Sequence, residues 1–178
     1  MTSPLRITVA RRSAPVAAQL AELGRQTFHE TFAATNTAED MAAFLAENFS
    51  ADKQLAELQD PQTVFLLGQM VQDVVGYAKL RTGSGLGLEP GKPADGRLEI
   101  ERLYVREDWI GTGLGASLMR RAIEEARAQS CRTVVLGVWE QNERAIAFYQ
   151  RFGFRQIGTH EFRVGTDVQT DLILRKGL

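Results

Sequence analysis

The amino-acid sequence predicts a mixed α/β domain with a partly parallel sheet at its centre. Three observations carry this prediction. β-Rich and helical segments alternate in the order β, helices, then β-β-β-α-β-α-β-β. The run "TVVLGVW" (133–139) is almost wholly apolar between two helical segments, as befits a strand buried on both faces. A length of 178 residues without repeats or a linker fits one domain spanning 1–178.

The elements follow in chain order. "LRITVAR" reads as a short first strand, and "APVAAQLAELGRQTFHETF" has the three-and-four apolar spacing of a helix. "TAEDMAAFLAENF" opens on Thr37 with acids in its first turn, and "SADKQLAELQD" opens on Ser50 and stops before Pro61; both are helix signatures. "TVFLLGQM" and "DVVGYAKLRT" form a hairpin over Val71 and Gln72. "GSGLGLEPGKPADG" reads as a mobile Gly/Pro-rich loop, since no helix follows its glycines to hold an anion. "RLEIERLYV" is a strand. Residues 113–129 form an amphipathic helix with Leu114, Leu118, Ala122 and Ala126 inward. Asn142 caps a helix that places Ala145, Phe148, Tyr149 and Phe152 on one face and ends at Gly153. "FRQIGTHEFRV" and "QTDLILRK" close the chain as strands.

Composition narrows the function. A net charge of −1 argues against nucleic acid as the main partner, because phosphate neutralisation needs clustered cations. No apolar run is long enough to span a bilayer, and "MTSPLRITVARRSAP" lacks the apolar stretch of a signal peptide, so a membrane role is not expected. Cys131 is the single cysteine, which fits a reducing cytoplasm. His29 and His160 lie far apart without metal-ligand spacing, so no metal is expected.

Chemistry concentrates in "VREDWIGTGLGASLM". Gly111, Gly113 and Ala116 spell G-x-G-x-x-A, the dinucleotide fingerprint, yet the context is wrong for it. Five residues, Arg106 to Ile110, separate the strand from Gly111, and "SCRT" supplies no acid where a ribose would need one. The physics of the loop survives. Glycines let backbone N–H groups approach an anion, and the following helix points its positive end there, so a pyrophosphate is the expected guest. Asn142 and Tyr149 have ordinary explanations in capping and core packing. Glu99 and Glu101 share one strand face, either to pair with Arg102 or Arg81 or to line an amine pocket.

These motifs together resemble the GNAT superfamily of acetyl-CoA-dependent N-acetyltransferases. Its phosphate signature Q/R-x-x-G-x-G/A falls on Ile110, Gly111, Thr112, Gly113, Leu114 and Gly115, with Ile110 departing at the first position. Its second signature is matched by Asn142, Ala145, Phe148, Tyr149, Gly153 and Phe154. "LEIERLYV", "IGTH", "VQTDLIL" and "TFHETFAATNTAEDMAAFL" resemble the PaiA-type polyamine acetyltransferases within it.

The resemblance implies a centrally splayed sheet with helices on both faces, and acetyl-CoA as cosubstrate in the gap between 98–105 and 133–139. It implies pantetheine pairing with Leu103, Tyr104 and Val105 and phosphate binding from Gly111 through Ala116, including Thr112, Leu114 and Gly115. Asn142 would bond the pantetheine arm, and the Leu103 N–H would take the acetyl oxygen. Glu101 would be base or relay, Tyr149 general acid, and Glu99, Glu101, Glu30 and Phe32 the substrate-binding side chains. The implied acceptor is a small-molecule amine such as spermidine or spermine, and analogy adds a homodimer. Two alternatives stand beside this one: acetylation of a peptide N-terminus, amino acid or antibiotic, and a non-catalytic acetyl-CoA-binding regulator.

Overall fold

The computed structural model describes residues 5–178. Among these residues, seven strands form one sheet in the order β1-β2-β3-β4-β5-β7-β6. They are β1 (Arg6–Val9), β2 (Thr63–Met70), β3 (Asp73–Thr82), β4 (Arg97–Val105), β5 (Thr133–Trp139), β6 (Arg155–Val164) and β7 (Asp167–Gly177). All neighbours are antiparallel except β4 and β5, the parallel pair that the intervening helix makes possible. The β2–β3 hairpin turns at Val71 as expected, with Val71 at φ 59°.

Helices α1 (Ala14–Phe32), α2 (Ala38–Asn48) and α3 (Ala51–Gln59) cover one face; α4 (Leu114–Ala128) and α5 (Glu143–Arg151) cover the other. Capping fixes their starts: the side chains of Thr37, Ser50 and Asn142 accept from the N–H groups of Asp40, Lys53 and Ala145. The α4 side is aliphatic, with Leu98, Ile100, Leu118, Met119, Val134 and Leu136 at its centre. The α1–α3 side is aromatic, built on Phe28, Phe49, Phe65 and Tyr77.

The aromatic layer is tight at Gly24 of α1. A Cβ there would stand 2.3 Å from Phe49 Cδ1 and 2.6 Å from its Cε1. Phe49 cannot swing aside, because its carbonyl accepts from Arg25 at 2.7 Å and its ring lies 4.8 Å beneath the Arg102 guanidinium. Gly24→Ala is therefore expected to destabilise the protein by about 1–3 kcal/mol through overpacking, despite alanine's better helix propensity. A urea melt checks this; an unchanged or higher midpoint would show that Phe49 can move.

Candidate active site

The site begins with a break between β4 and β5. Their parallel ladder runs from Arg97↔Thr133 to Glu99↔Val135 and stops. The cause lies on the other edge of β4. Lys79 pairs with Arg102 but Leu80 with Ile100, so Glu101 is one residue too many, a β-bulge. A bulge bends and twists its strand, and here it turns β4 away from β5. It also resets the alternation of side chains. Leu98 and Ile100 join the α4 core, Tyr104 packs with α1, and Leu103 and Val105 rejoin the α4 core.

Beyond the bulge, β4 presents an open backbone edge. The Arg106 N–H donates to Val75 O on the β3 side at 2.9 Å. Alternation along a strand then turns the N–H groups of Leu103 and Val105 into the gap.

The glycine loop stands at one end of this gap. Gly111 and Gly113 have φ of 84° and 89°, the left-handed region in which glycine is at ease. Gly113 caps α4 without a side-chain bond, and the first helical bond runs from Ser117 N–H to Gly113 O. The N–H groups of Leu114, Gly115 and Ala116 precede it and remain available at the helix's positive end. A side chain at Gly113 would meet nothing within 4 Å, so the cradle is open.

A cavity of about 690 Å³ joins the loop to the far side of the sheet, lined by both strands and by α1, α2 and α5. On the α4–α5 side its wall includes Tyr149, held between Phe148 and Phe154 in edge-on contacts of 5.4 and 5.9 Å. Burial, reinforced by nearby Tyr104, raises the Tyr149 phenol above its usual pKa, so it stays protonated at neutral pH. On the α1–α2 side the wall is aromatic (Phe28, Phe32, Phe44, Trp139 and Phe162) over a floor of polar groups.

Charge on that floor and just behind it is uneven. Glu101 pairs with Lys79, Lys79 with Glu57 at 3.3 Å, and Glu57 with Arg102 at 2.9 Å, so two carboxylates and two cations balance. Glu99 and Asp171 stand outside this balance. Glu99 accepts from the Ser84 hydroxyl, and no Lys or Arg pairs with it among the described residues. Burial raises its pKa, the Ser84 bond opposes the rise, and Glu101 adds to it.

Most residues expected from the sequence meet here. Glu99, Glu101, Leu103, Tyr104, Val105, Gly111, Gly113, Gly115, Ala116, Asn142, Tyr149 and Phe32 all line the cavity. Thr112 and Leu114 do not. The Thr112 hydroxyl turns back to Trp109 O at 2.6 Å, and the Leu114 side chain is buried in the core, leaving its backbone alone to serve. Glu30 faces a neighbouring hollow, where it accepts from the Glu107 N–H at 2.9 Å. Arginine partners for Glu99 and Glu101 are also ruled out, since Arg102 serves Glu57 and Arg81 serves Asp60. Cys131 is buried away from the cavity, and burial raises its thiol pKa.

The glycine-rich loop after β3 is not free: Ser84 is buried and reaches Glu99. Sequence reasoning also passed over Lys79, Gln169 and Asp171. A signal existed for Asp171, an acid inside the otherwise apolar run "DLIL".

Comparison with known proteins places this geometry. Residues 25–154 match the acetyltransferase (GNAT) family. The chain belongs to that family. It is 35% identical over 178 residues to a Lactobacillus delbrueckii subsp. lactis protein named an uncharacterized N-acetyltransferase, covering 100% of this chain and 99% of that one. It is 34% identical over 94 residues to the spermine/spermidine N(1)-acetyltransferase of Bacillus subtilis, covering 51% of this chain and 58% of that one. Among solved structures, the PaiA N-acetyltransferase of Thermoplasma acidophilum in complex with coenzyme A shares the fold. Its TM-score is 0.80 at 20% identity, over 99% of this chain and 100% of that one.

This GNAT protein is thus an acetyl-CoA-dependent N-acetyltransferase. The residues present suit that cosubstrate: free helix N–H groups and an open cradle for phosphates, then an unpaired strand edge for an amide-bearing arm. No helix of the described residues is long and apolar enough to cross a membrane.

Proposed function

We propose that this GNAT enzyme acetylates a primary amine of a polycationic acceptor, of the spermidine and spermine class, by direct attack in a ternary complex. One observation carries the acceptor class: Glu99 is a carboxylate on the cavity floor with which no Lys or Arg pairs among the described residues, beside an ion network already neutral. The Bacillus subtilis relative's name supports it over the 94 aligned residues.

Each residue then has a task. The N–H groups from Leu114 to Ala116 hold phosphate, and the edge from Leu103 to Val105 pairs with the pantetheine amides. Asn142 spends its Oδ1 on the α5 cap and has its amide N–H free to donate into the cavity. Bound acetyl-CoA supplies an acetyl group activated as a thioester. The Leu103 N–H, turned into the gap, is the oxyanion donor.

The acceptor amine arrives as an ammonium with a pKa of about 10 and must lose a proton before it can attack. The ion pair with Lys79 moves the base assignment from Glu101 to Glu99. Glu99's raised proton affinity brings it nearer the operating pH, which favours a general base. Glu101 then orders the floor and binds the acceptor. Tyr149 holds a proton on the opposite side of the gap, available to the departing sulfur. No covalent enzyme intermediate is needed.

Glu99 accepts a proton as carboxylate, so kcat/KM falls as pH drops through its pKa, at a higher pH than an ordinary glutamate would give. Glu99→Gln should lower turnover roughly 100-fold and flatten that acid limb. An unchanged limb and rate would return the base role to Glu101. Salt tests the acceptor class: added salt should raise the KM of spermine more than that of a monoamine. Equal shifts would contradict a polycationic acceptor.

A further inference from the structure

The proposed reaction uses Glu99 but leaves the neighbouring floor on β7 unexplained. Asp171 lines the cavity, retains 8% of its accessible surface, and its Oδ1 is buried without a hydrogen-bond partner. Two residues earlier, on the same strand face, Gln169 is equally buried, and its Oε1 is also unpartnered. Its orientation is fixed from behind. Nε2 donates to Asp167 Oδ2 at 2.7 Å and to Asn36 Oδ1 at 3.1 Å, so the amide oxygen must be the free end.

No described residue donates a hydrogen bond to either oxygen, and the Nε2 of His160 beside Asp171 is itself buried without a partner. His160 faces Asp171 across the β6–β7 pair, but its Nε2 lies 3.7 Å from Oδ2, beyond a hydrogen bond. Gly137 leaves room for both side chains, since a Cβ there would stand 2.8 Å from His160 Nε2 and 3.3 Å from Asp171 Oδ2. Trp139, opposite Asp171 on β5, and Phe162 of β6 add aromatic faces to the same cavity. Buried acceptors without donors are costly, and aromatic faces attract cations. A ligand that brings N–H donors and positive charge satisfies both conditions at once.

We infer that Asp171 and Gln169 form an anchoring subsite for a second ammonium of a diamine or polyamine acceptor, whose reacting amine lies at Glu99. This rests on the acceptor class proposed above. The scaffold sets a suitable spacing. Glu99 pairs with Val135, and the Asp171 carboxylate lies beside Gly137, two residues further along β5. One to two strand spacings and two residues of rise separate the two carboxylates by about 8–12 Å, within reach of an extended diamine or polyamine. Asp171 and Gln169 thus choose the acceptor, whereas Glu99 takes its proton and Tyr149 serves the departing sulfur.

The test is calorimetric titration of spermidine, and of a monoamine of matching length, into the coenzyme A-loaded protein. Parallel initial-rate measurements use acetyl-CoA. Asp171→Asn should weaken spermidine binding roughly tenfold to a hundredfold, the scale of one lost charged hydrogen-bonded contact. It should leave the monoamine and coenzyme A affinities unchanged; the latter also shows that the variant is folded. In turnover the loss should appear in the spermidine KM and not in kcat, and Asp171→Glu should recover part of it. Equal weakening of both amines, or no weakening of spermidine, would overturn the anchor. Wild type that binds spermidine tightly through Asp171 but does not acetylate it would support the anchor and overturn the proposed reaction. Wild type that binds no spermidine would overturn both.

Discussion

Gly113→Asp should abolish useful coenzyme A binding, weakening it roughly 100-fold or more, while the protein stays folded. Both halves follow from the geometry of the loop. Gly113 sits at φ 89°, so a side chain there costs about 1–2 kcal/mol; aspartate is among the residues that tolerate this region best. The added Cβ would meet nothing within 4 Å, so no packing is lost. A carboxylate at the start of α4 also complements the helix dipole, which offsets part of the strain. That same charge then occupies the place where the pyrophosphate needs the N–H groups of Leu114, Gly115 and Ala116. The substitution satisfies the helix end and repels the ligand. Calorimetry with coenzyme A, beside a thermal melt, reads both effects. Unchanged affinity in a folded variant would remove the loop from the site.

Tyr149→Phe should lower turnover roughly 100-fold or more, the usual scale of general acid catalysis, and leave coenzyme A affinity nearly unaltered. The ring contacts with Phe148 and Phe154 remain, so stability should hardly change. The hydroxyl makes no hydrogen bond to the described residues, and burial holds its pKa above the usual value near 10. Two consequences follow. Removing it orphans no protein group, so a rate loss cannot be read as a broken network. Tyr149 should also produce no alkaline fall in kcat below about pH 10. A single-turnover rate near that of wild type would leave Tyr149 as a packing residue.

Local chemistry made much of the fold legible in the sequence. The helix starts at Thr37, Ser50 and Asn142 are set by side-chain caps that any neighbour would leave intact, and all three caps form. The glycine loop and α4 were likewise readable, because left-handed turns and an amphipathic stripe are written in a few adjacent residues. The bulge at Glu101 was not. It exists only in the pairing of β4 with β3, and "LEIERLYV" read alone is a strand of regular alternation. That one residue opens the gap and brings Tyr104 to the same side as Glu99. The ion partners were hidden for the same reason: Lys79 and Glu57 come from elements distant in sequence. Regular alternation put Glu99 and Glu101 together, but only the contacts of Lys79 and Ser84 separate their tasks.

The proposal of acetyl transfer to a polycationic amine is tested most directly by one measurement. The purified protein is supplied with acetyl-CoA and, in turn, spermine, spermidine, matched monoamines, amino acids and a short peptide. Thiol release is followed, and each product is weighed for one added acetyl group. Stoichiometric thiol release and acetylated product are expected with spermidine and spermine, well above the rates with monoamines. Ready acetylation of amino acids or peptides, with saturating polyamines ignored, would contradict it.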